Sequence, residues 1–586
     1  MNRQSTKESG VGGLKRILEY VRPDYGAMLV GFAIKFVVTV MDLAIPWILS
    51  HIIDEVAPTG SRGTIWLWGG AMALCSALAL LGNVIANRRA SAVSRDVTRT
   101  LRHDLFAKIE RLSARQMDQT TVPSLISRLT TDSYNVNQTL GRIQRLGVRA
   151  PILLLGGVTV SLMLDFRLSL VLLATLPLLA LSVALISRRG IPLYARVQRA
   201  VDDMVRTVRD DVAGVRVIRA LSKGDTECAR FARDSEALSR EQIHADTVMA
   251  ATNPLMSLLL NGGLTGVVVA GAFWVNAGLT EPGRIIAFLS YFTIILNAVL
   301  SINKMLVMLS QAAASAERIA EVLDLPEEAP LPAAAPRRDA AHVSFDDVCF
   351  SYNGRSDDIE HISFSVPRGG SFGVIGATGA GKTTLTMLLQ RFYPVRSGAI
   401  TLNGKNVDTM DDARLHGAFG AAFQSDSFFQ GSIRDNVDLG RNLPEAQLRR
   451  AVCCAQAAEF IDALDDGWNH PVQARGANLS GGQRQRLLVA RALAGNPEIL
   501  ILDDSSSALD YLTDAAMRAA IRREYAGTTL FLIAQRVSSV RECDQILVLD
   551  QGRTAGLGNH EQLMRGYPLY AQISRIQNGE EGGDGE

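Results

Sequence analysis

Apolar residues gather into six long stretches in the first half of the chain: 26–54, 64–86, 145–164, 168–187, 249–275 and 284–308. Each has about the 20 residues that carry a helix across a bilayer. Short and long links alternate between them. Spans one and two, three and four, and five and six are separated only by "EVAPTGSRG", "DFR" and "NAGLTEPGR". The other two links are long and crowded with Arg and Lys, as in "ANRRASAVSRDVTRTLRHDLFAKIERL" and "ISRRGIPLYARVQRAVDDMVRTVRDDVAGVRVIRAL". Their apolar residues recur at helical spacing, which predicts long helices continuing the spans beyond the membrane. The excess of Lys and Arg puts these links, and with them both termini, on the cytoplasmic side. Upstream, Leu14, Ile17, Leu18 and Val21 fall at i, i+3, i+4, i+7 and predict an amphipathic helix. Its apolar face fits either a place flat on the membrane surface or a lead-in to the first span.

Past residue 324 the pattern changes. "DLPEEAPLPAAAPRRDAAH" (324–342) reads as a linker rich in Pro and Ala. After it, "VSFDDVCFSY" alternates like a strand, and 343–577 has the mixture of a soluble α/β domain. The expected organisation is a cytoplasmic N-terminus at 1–25, a transmembrane domain at 26–323, the linker, the soluble domain, and an acidic disordered tail at 578–586.

Composition narrows the classes. The chain has 586 residues, 47% hydrophobic and 20% charged, with a net charge of +1, which gives no footprint for nucleic acid. Its six cysteines show no CxxC or zinc-type spacing, so neither a disulfide framework nor a structural zinc site is expected. The first 25 residues are polar and basic and predict no cleaved leader. A few polar residues interrupt the spans: Lys35 and Asp42 in the first, Asn261 in the fifth, Asn297 and Asn303 in the sixth. Ionisable groups at membrane depth face protein or a water-filled cavity. Lys35 and Asp42, seven apart, share a helix face but lie too far apart for a tight pair. They fit a translocation cavity or outer gate, or else an interhelical hydrogen bond and a snorkelling lysine.

The soluble half carries the chemistry. In "GVIGATGAGKTTLTMLL" (373–389), Gly376, Gly381, Lys382 and Thr383 fit G-x-x-x-x-G-K-[ST] between an apolar strand and a helical run. Such a loop wraps phosphates with backbone N–H groups, here from Gly376 through Thr378, Gly379 and Ala380 to Gly381 and Thr384. Its Lys reaches the terminal phosphates and Thr383 can hold Mg²⁺. The following helix aims its positive end at the anion. Further on, "NLSGGQRQRLLVARALAGNPEILILDD" (478–504) sets Ser480, Gly481 and Gly482 before a second helix and ends an apolar strand in Asp503 and Asp504.

With these motifs the chain resembles the ABC transporters, specifically half-transporters with six spans fused to one nucleotide-binding domain. The resemblance covers nearly the whole chain. It implies an exporter-type helical membrane domain and an α/β P-loop domain with a helical signature subdomain. Tyr352 should stack on adenine. Gln424 should touch Mg²⁺ and sense the membrane domain, with Thr383 and Asp503 as the other metal ligands. Ser480, Gly481, Gly482 and Gln483 belong to the "LSGGQ" signature, which in this family completes the ATP site of the opposite chain. "SALD" (507–510) matches the loop that crosses the dimer interface, and "AAASAERIAEVLD" (312–324) looks like the end of the sixth span. Coupling helices are expected near Gln119–Leu125 and Gly214–Leu221.

Three departures from the family pattern matter. Where the family has a Glu that positions or deprotonates the attacking water, this chain has Asp504. The loss of one methylene draws the carboxylate back by about 1.5 Å, one C–C length, and a general base must stay within hydrogen-bond reach. After the strand 528–534 the family's His is Gln535, which carries no charge and shuttles no proton. In "HPVQARGAN" (470–478) the family's acids before Arg475 are missing. An intact signature beside a weakened site implies an unequal pair. The expectation is the degenerate-site subunit of a bacterial heterodimeric multidrug exporter in the plasma membrane. It would bind ATP and Mg²⁺, hydrolyse slowly at its own site, and move amphipathic small molecules or lipids with a different half-transporter. An exporter-shaped importer of siderophore-like substrates and a non-transporting ATP-binding regulator are the alternatives.

Overall fold

The computed structural model describes residues 5–326, 341–424, 427–505 and 507–578. The chain forms two compact units, one made of the residues up to Arg111 and Thr121–Leu325, the other of Leu112–Thr120 and everything from Pro326 on.

The first unit is helical. Its helices are α1 (Ser5–Val21), α2 (Tyr25–His51) and α3 (Arg62–Ile109), then, beyond α4 (Ala114–Thr120) of the other unit, α5 (Val122–Ser127), α6 (Ser133–Arg142), α7 (Arg149–Leu164), α8 (Phe166–Ala220), α9 (Gly224–Ala250), α10 (Thr252–Asn276) and α11 (Pro282–Leu323). Six helical segments among the described residues are long and apolar enough to span a membrane. α3 and α8 run for 48 and 55 residues. At about 1.5 Å per residue that is far more than a hydrocarbon core of about 30 Å needs. The basic links thus continue the spans as helix. Apolar side chains lie bare along the spans, among them Leu29, Trp66, Met163 and Phe273, as expected where lipid replaces water as solvent.

Close helix contact depends on small residues. A Cβ on Gly263 of α10 would lie 2.3 Å from the Phe292 ring of α11, and one on Gly271 would lie 2.6 Å from Ile285. Around them Leu168, Leu172, Phe288, Tyr291 and Ile295 are fully buried, and the Tyr291 hydroxyl donates to the Leu43 carbonyl at 2.7 Å.

The ionisable residues of the first span face other helices. Buried Lys35 donates from Nζ to Asn83 Oδ1 of α3 at 2.7 Å. Asp42 accepts from Arg149 Nη2 at the start of α7 at 3.0 Å. Of the two readings drawn for this pair, interhelical bonding is the one these contacts follow. Asn261 and Asn297 are exposed, and the Asn303 side chain lies outside the described residues.

Two local expectations take a particular form. α1 is a helix leading into the first span, and part of its apolar face meets protein: Ile17 and Val21 are buried, and a Cβ on Gly13 would lie 2.6 Å from the Glu317 backbone of α11. Leu18 alone of the four stays exposed. The stretches expected near the coupling helices are largely helical. Gln119–Leu125 straddles the break between α4 and α5, where Thr121 takes a φ of +62°, and Gly214–Leu221 is the unbroken end of α8, closed by Ser222 at φ +52°.

The second unit builds on two sheets. Strands β1 (Val343–Phe350), β2 (Ile359–Val366), β4 (Ser397–Leu402) and β5 (Lys405–Asn406) form an antiparallel sheet in the order β2-β1-β4-β5. The other sheet contains β3 (Ser371–Gly376), β6 (Phe419–Ala422), β9 (Ile499–Asp503), β10 (Thr529–Ala534), β11 (Gln545–Asp550) and β12 (Arg553–Gly558), in the order β12-β11-β3-β10-β9-β6. Only β12 runs antiparallel there. A small ribbon joins β7 (Gly431–Ser432) to β8 (Pro471–Val472). Every residue of β9 and β10 is buried, which explains their unbroken apolar runs in place of alternation. Helix α12 (Lys382–Leu389) follows β3. The short helices Ile433–Asp438, Glu445–Cys454 and Ala458–Asp462 pack with Gly481–Ala494 through Val437, Leu448, Val452 and Leu487. The tail 579–586 and most of the linker lie outside the described residues.

Candidate functional site

Parallel strands present their carboxyl ends on one side, and ligands of such sheets sit in the crevice there. The register pairs Ile375 with Ala534 and Ile533 with Asp503. The ends of β3, β10 and β9 therefore deliver Gly376, Gln535, Asp503 and Asp504 to one place. A cavity of about 280 Å³ opens there, lined among others by Tyr352, Thr378, Lys382, Thr383, Gln424 and Asp503.

The phosphate-loop sequence takes its shape from its glycines. Gly376 runs so close to β11 that a Cβ would lie 2.2 Å from the Leu549 carbonyl oxygen. Gly379 and Gly381 have φ of +84° and +99°, a conformation that side chains disfavour. Ala380 is buried behind them and its carbonyl accepts from the Gly552 amide at 3.1 Å. Lys382 opens α12, and its Nζ donates to the carbonyls of Gly376 and Ala377, both at 2.8 Å. Burial pulls its pKa down, opposed by the nearby carboxylates of Asp503 and Asp504.

The two acids differ in surroundings. Asp503 is 2% exposed, and its Oδ2 has no hydrogen-bond partner. Burial raises its pKa, partly offset by a hydrogen bond with Thr383. An orphaned buried carboxylate oxygen beside a threonine hydroxyl suits a hard cation. Mg²⁺ is commonly held by one or two carboxylates, with water and substrate phosphates supplying the rest.

Asp504 sits at φ +48°, with its backbone N–H held by the Ile533 carbonyl at 2.9 Å. Its Oδ2 accepts from two amides at once, Gln424 Nε2 at 3.2 Å and Gln535 Nε2 at 3.3 Å. Burial lifts its pKa, while Lys382 and Arg536 pull it down. Tyr352 closes another edge of the cavity with a half-exposed ring, its hydroxyl 3.2 Å from Thr384 Oγ1.

Ser480, Gly481, Gly482 and Gln483 are not among the residues lining this cavity. They open the helix Gly481–Ala494, where the Ser480 hydroxyl and the Gln483 side chain form a reciprocal capping box. Sequence reasoning missed three partners of these motifs. Gln485 fastens the signature helix to the "SALD" loop, donating to Ser507 Oγ at 2.9 Å and accepting from the Ala508 amide at 2.8 Å. Gln577, near the C-terminus, accepts from the Val537 amide and donates to the Gln535 carbonyl, both at 2.7 Å. Tyr393 stands edge-on to Tyr352 at 5.1 Å and donates to Asp118 Oδ2 of α4 at 2.6 Å. Gln485 lies two residues beyond Gln483, the last residue of the signature, and no motif reading marked it. No spacing rule ties Tyr393 or Gln577 to the motifs they support.

A helical unit of six spans followed by an α/β domain with a phosphate-loop crevice is the architecture of an ABC half-transporter. Residues 28–299 match the ABC transporter transmembrane region, and residues 359–507 match the ABC transporter family. The chain is 31% identical over 575 residues to the ABC transporter ATP-binding protein YfiB of Bacillus subtilis, covering 97% of this chain and 100% of the relative. It is 32% identical over 582 residues to the ABC transporter ATP-binding protein MT1311 of Mycobacterium tuberculosis, covering 96% and 98%. A solved structure described as a bacterial Atm1-family ABC exporter with ATP bound has the same fold, with a TM-score of 0.79, 24% identity, and coverage of 97% of this chain and 99% of that one. The chain belongs to the ABC transporter family. It is a multi-pass membrane protein carrying one ATP-binding domain, an ATPase unit coupled to transport, and its half-transporter architecture is one that typically dimerises.

Proposed function

We propose that this chain is the slow-site half of a heterodimeric exporter for amphipathic small molecules or lipids. It would lie in the plasma membrane with the ATP-binding domain and both termini in the cytoplasm. One observation carries the reading: the Asp504 carboxylate, one methylene short, is shared by the amides of Gln424 and Gln535.

Tyr352 offers its half-exposed ring to the adenine. The loop 376–384 turns its N–H groups and Lys382 toward the phosphates. Thr383, Asp503 and Gln424 would hold Mg²⁺, which would neutralise charge on the phosphate oxygens. Asp504 would have to hold the attacking water, yet it ends about 1.5 Å short of a glutamate, and a base must stand within hydrogen-bond reach of the proton it takes. Gln535 donates one neutral hydrogen bond where an imidazole would offer charge. Binding groups are thus present, and the groups that act on the γ-phosphate and the water are weak. The signature helix start, outside the chain's own crevice, is free to complete a partner's ATP site.

The test is steady-state ATPase activity in proteoliposomes. The chain alone should turn over ATP slowly, and co-expression with the cognate half-transporter should restore turnover together with transport. Brisk, substrate-stimulated hydrolysis by the single purified chain would remove the heterodimer.

A further inference from the structure

The turn that carries Gln535 into the crevice is held from outside it. Strand β10 ends at Ala534, and a short helix begins at Val537. Between them Gln535 and Arg536 are exposed, so the side chain that reaches Asp504 is not fixed by burial. Its direction depends on the backbone beneath it. Arg536, at φ −102° and ψ 129°, gives that helix no side-chain cap. The Val537 N–H is one of the first-turn donors for which a helix has no partner of its own.

Gln577 supplies the partner. Its side-chain carbonyl accepts from the Val537 N–H, and its Nε2 donates to the Gln535 carbonyl, both at 2.7 Å. One planar amide thereby ties down a backbone group on each side of Arg536. The C-terminal helix Pro568–Asn578 delivers it. Tyr570, Ser574 and Gln577 fall at i, i+4 and i+7, on one helix face. Tyr570 and Ser574 are buried, and Tyr570 belongs to the same core as Ala534, Val537 and Val540. The Tyr570 hydroxyl lies 2.8 Å from His560 Nδ1. The helix is thus well anchored, while Gln577 itself is exposed.

Inside the crevice, Gln535 lines the cavity together with Lys382, Asp503 and Asp504. An amide nitrogen carries two hydrogens. One goes to Asp504 Oδ2 at 3.3 Å, which leaves the second for an oxygen of the terminal phosphate of ATP. ADP lacks that phosphate.

We propose that Gln577 is a positioning residue for the γ-phosphate. It holds the turn 535–537 so that the Gln535 amide spans Asp504 and the terminal phosphate. Through it the C-terminal helix sets how strongly the crevice prefers ATP to ADP. The inference rests on Gln535 standing at the γ-phosphate and is independent of the heterodimer.

Equilibrium binding of AMP-PNP and of ADP, each with Mg²⁺, to the full chain in nanodiscs without a partner reads this preference. Gln577→Met keeps the length of the side chain and removes both hydrogen bonds. It should weaken AMP-PNP binding fivefold or more and leave ADP binding within twofold, and the retained ADP binding shows that the domain stays folded. Gln535→Ala should do the same. In the double variant, Gln577→Met should add no further loss, because residues that act as one unit are not additive. A residue that merely docks the C-terminal helix would lower both affinities alike, or add its full effect to that of Gln535→Ala. Either result overturns the inference. If Gln535→Ala leaves the preference for AMP-PNP unchanged, the γ-phosphate assignment of Gln535 falls and the inference with it. If only Gln577→Met is silent, that assignment stands and the positioning role alone is lost.

Discussion

Asp504 is where a single methylene changes the expected chemistry. Its carboxylate is positioned and hydrogen-bonded, yet its reach falls short of that of a glutamate. Asp504→Glu combined with Gln535→His should raise hydrolysis at this site, read as ATPase activity of the pair in which the partner's own catalytic acid is neutralised. Asp504→Ala should lower the turnover of the intact pair by less than tenfold, against the roughly 10²–10⁴-fold expected for removing a working general base. If Asp504→Ala abolishes turnover, the fast and slow sites have been assigned the wrong way round. The loop spacing around Lys382 and Thr383, and separately the paired acids at the end of an apolar strand, made the crevice legible in the sequence, because each motif is contiguous. Tyr393, Gln485 and Gln577 were harder to read. Their roles come from bonds to residues distant in sequence, such as Tyr393 to Asp118, and no periodicity records such a pairing.

At the scale of elements, hydropathy period and length foretold spans and strands, while the fate of each face depended on neighbours. The apolar stripe of α1 looks the same in sequence whether lipid or α11 covers it; the glycine at position 13 decides, by letting the two backbones approach. Asp42 likewise announced a polar site in a span without naming its partner. With Arg149 at 3.0 Å, removing one charge leaves the other uncompensated between helices. Asp42→Ala should therefore lower the thermal midpoint of the detergent-solubilised chain, and adding Arg149→Leu should recover part of the loss. Equal destabilisation by the single and double variants would mean that the pair contributes nothing to α2–α7 packing. For α4, Tyr393→Phe deletes a charge-assisted hydrogen bond of about 1.5–3 kcal/mol. ATP affinity should hold, because Tyr352 keeps its ring, whereas substrate stimulation of ATPase should fall. Unchanged stimulation would reduce Tyr393 to local packing.

At the scale of the whole molecule, the proposed heterodimer would give one chain two roles, each at a different ATP molecule. On that reading its crevice would hold one nucleotide, and its signature helix, whose first residues do not line that crevice, would serve the other. The two should respond oppositely to mutation. Gly481 and Gly482 are close to the loop 507–510, with a Cβ at 481 only 3.3 Å from Ala508 Cβ. Gly481→Asp would set a carboxylate at the positive end of the helix, where a phosphate is to be received, and so repel it. Steady-state ATPase of the purified pair should fall to near background if, as proposed, the site it spoils is the partner's fast one. Lys382→Ala removes the cation of the proposed slow site. It should weaken retention of nucleotide by the closed pair, read by trapping radiolabelled ATP, while part of the turnover persists. The contrast between the two variants is the measurement. If Lys382→Ala silences the pair and Gly481→Asp is tolerated, hydrolysis runs in this chain's own crevice, and the short carboxylate of Asp504 is a working base after all.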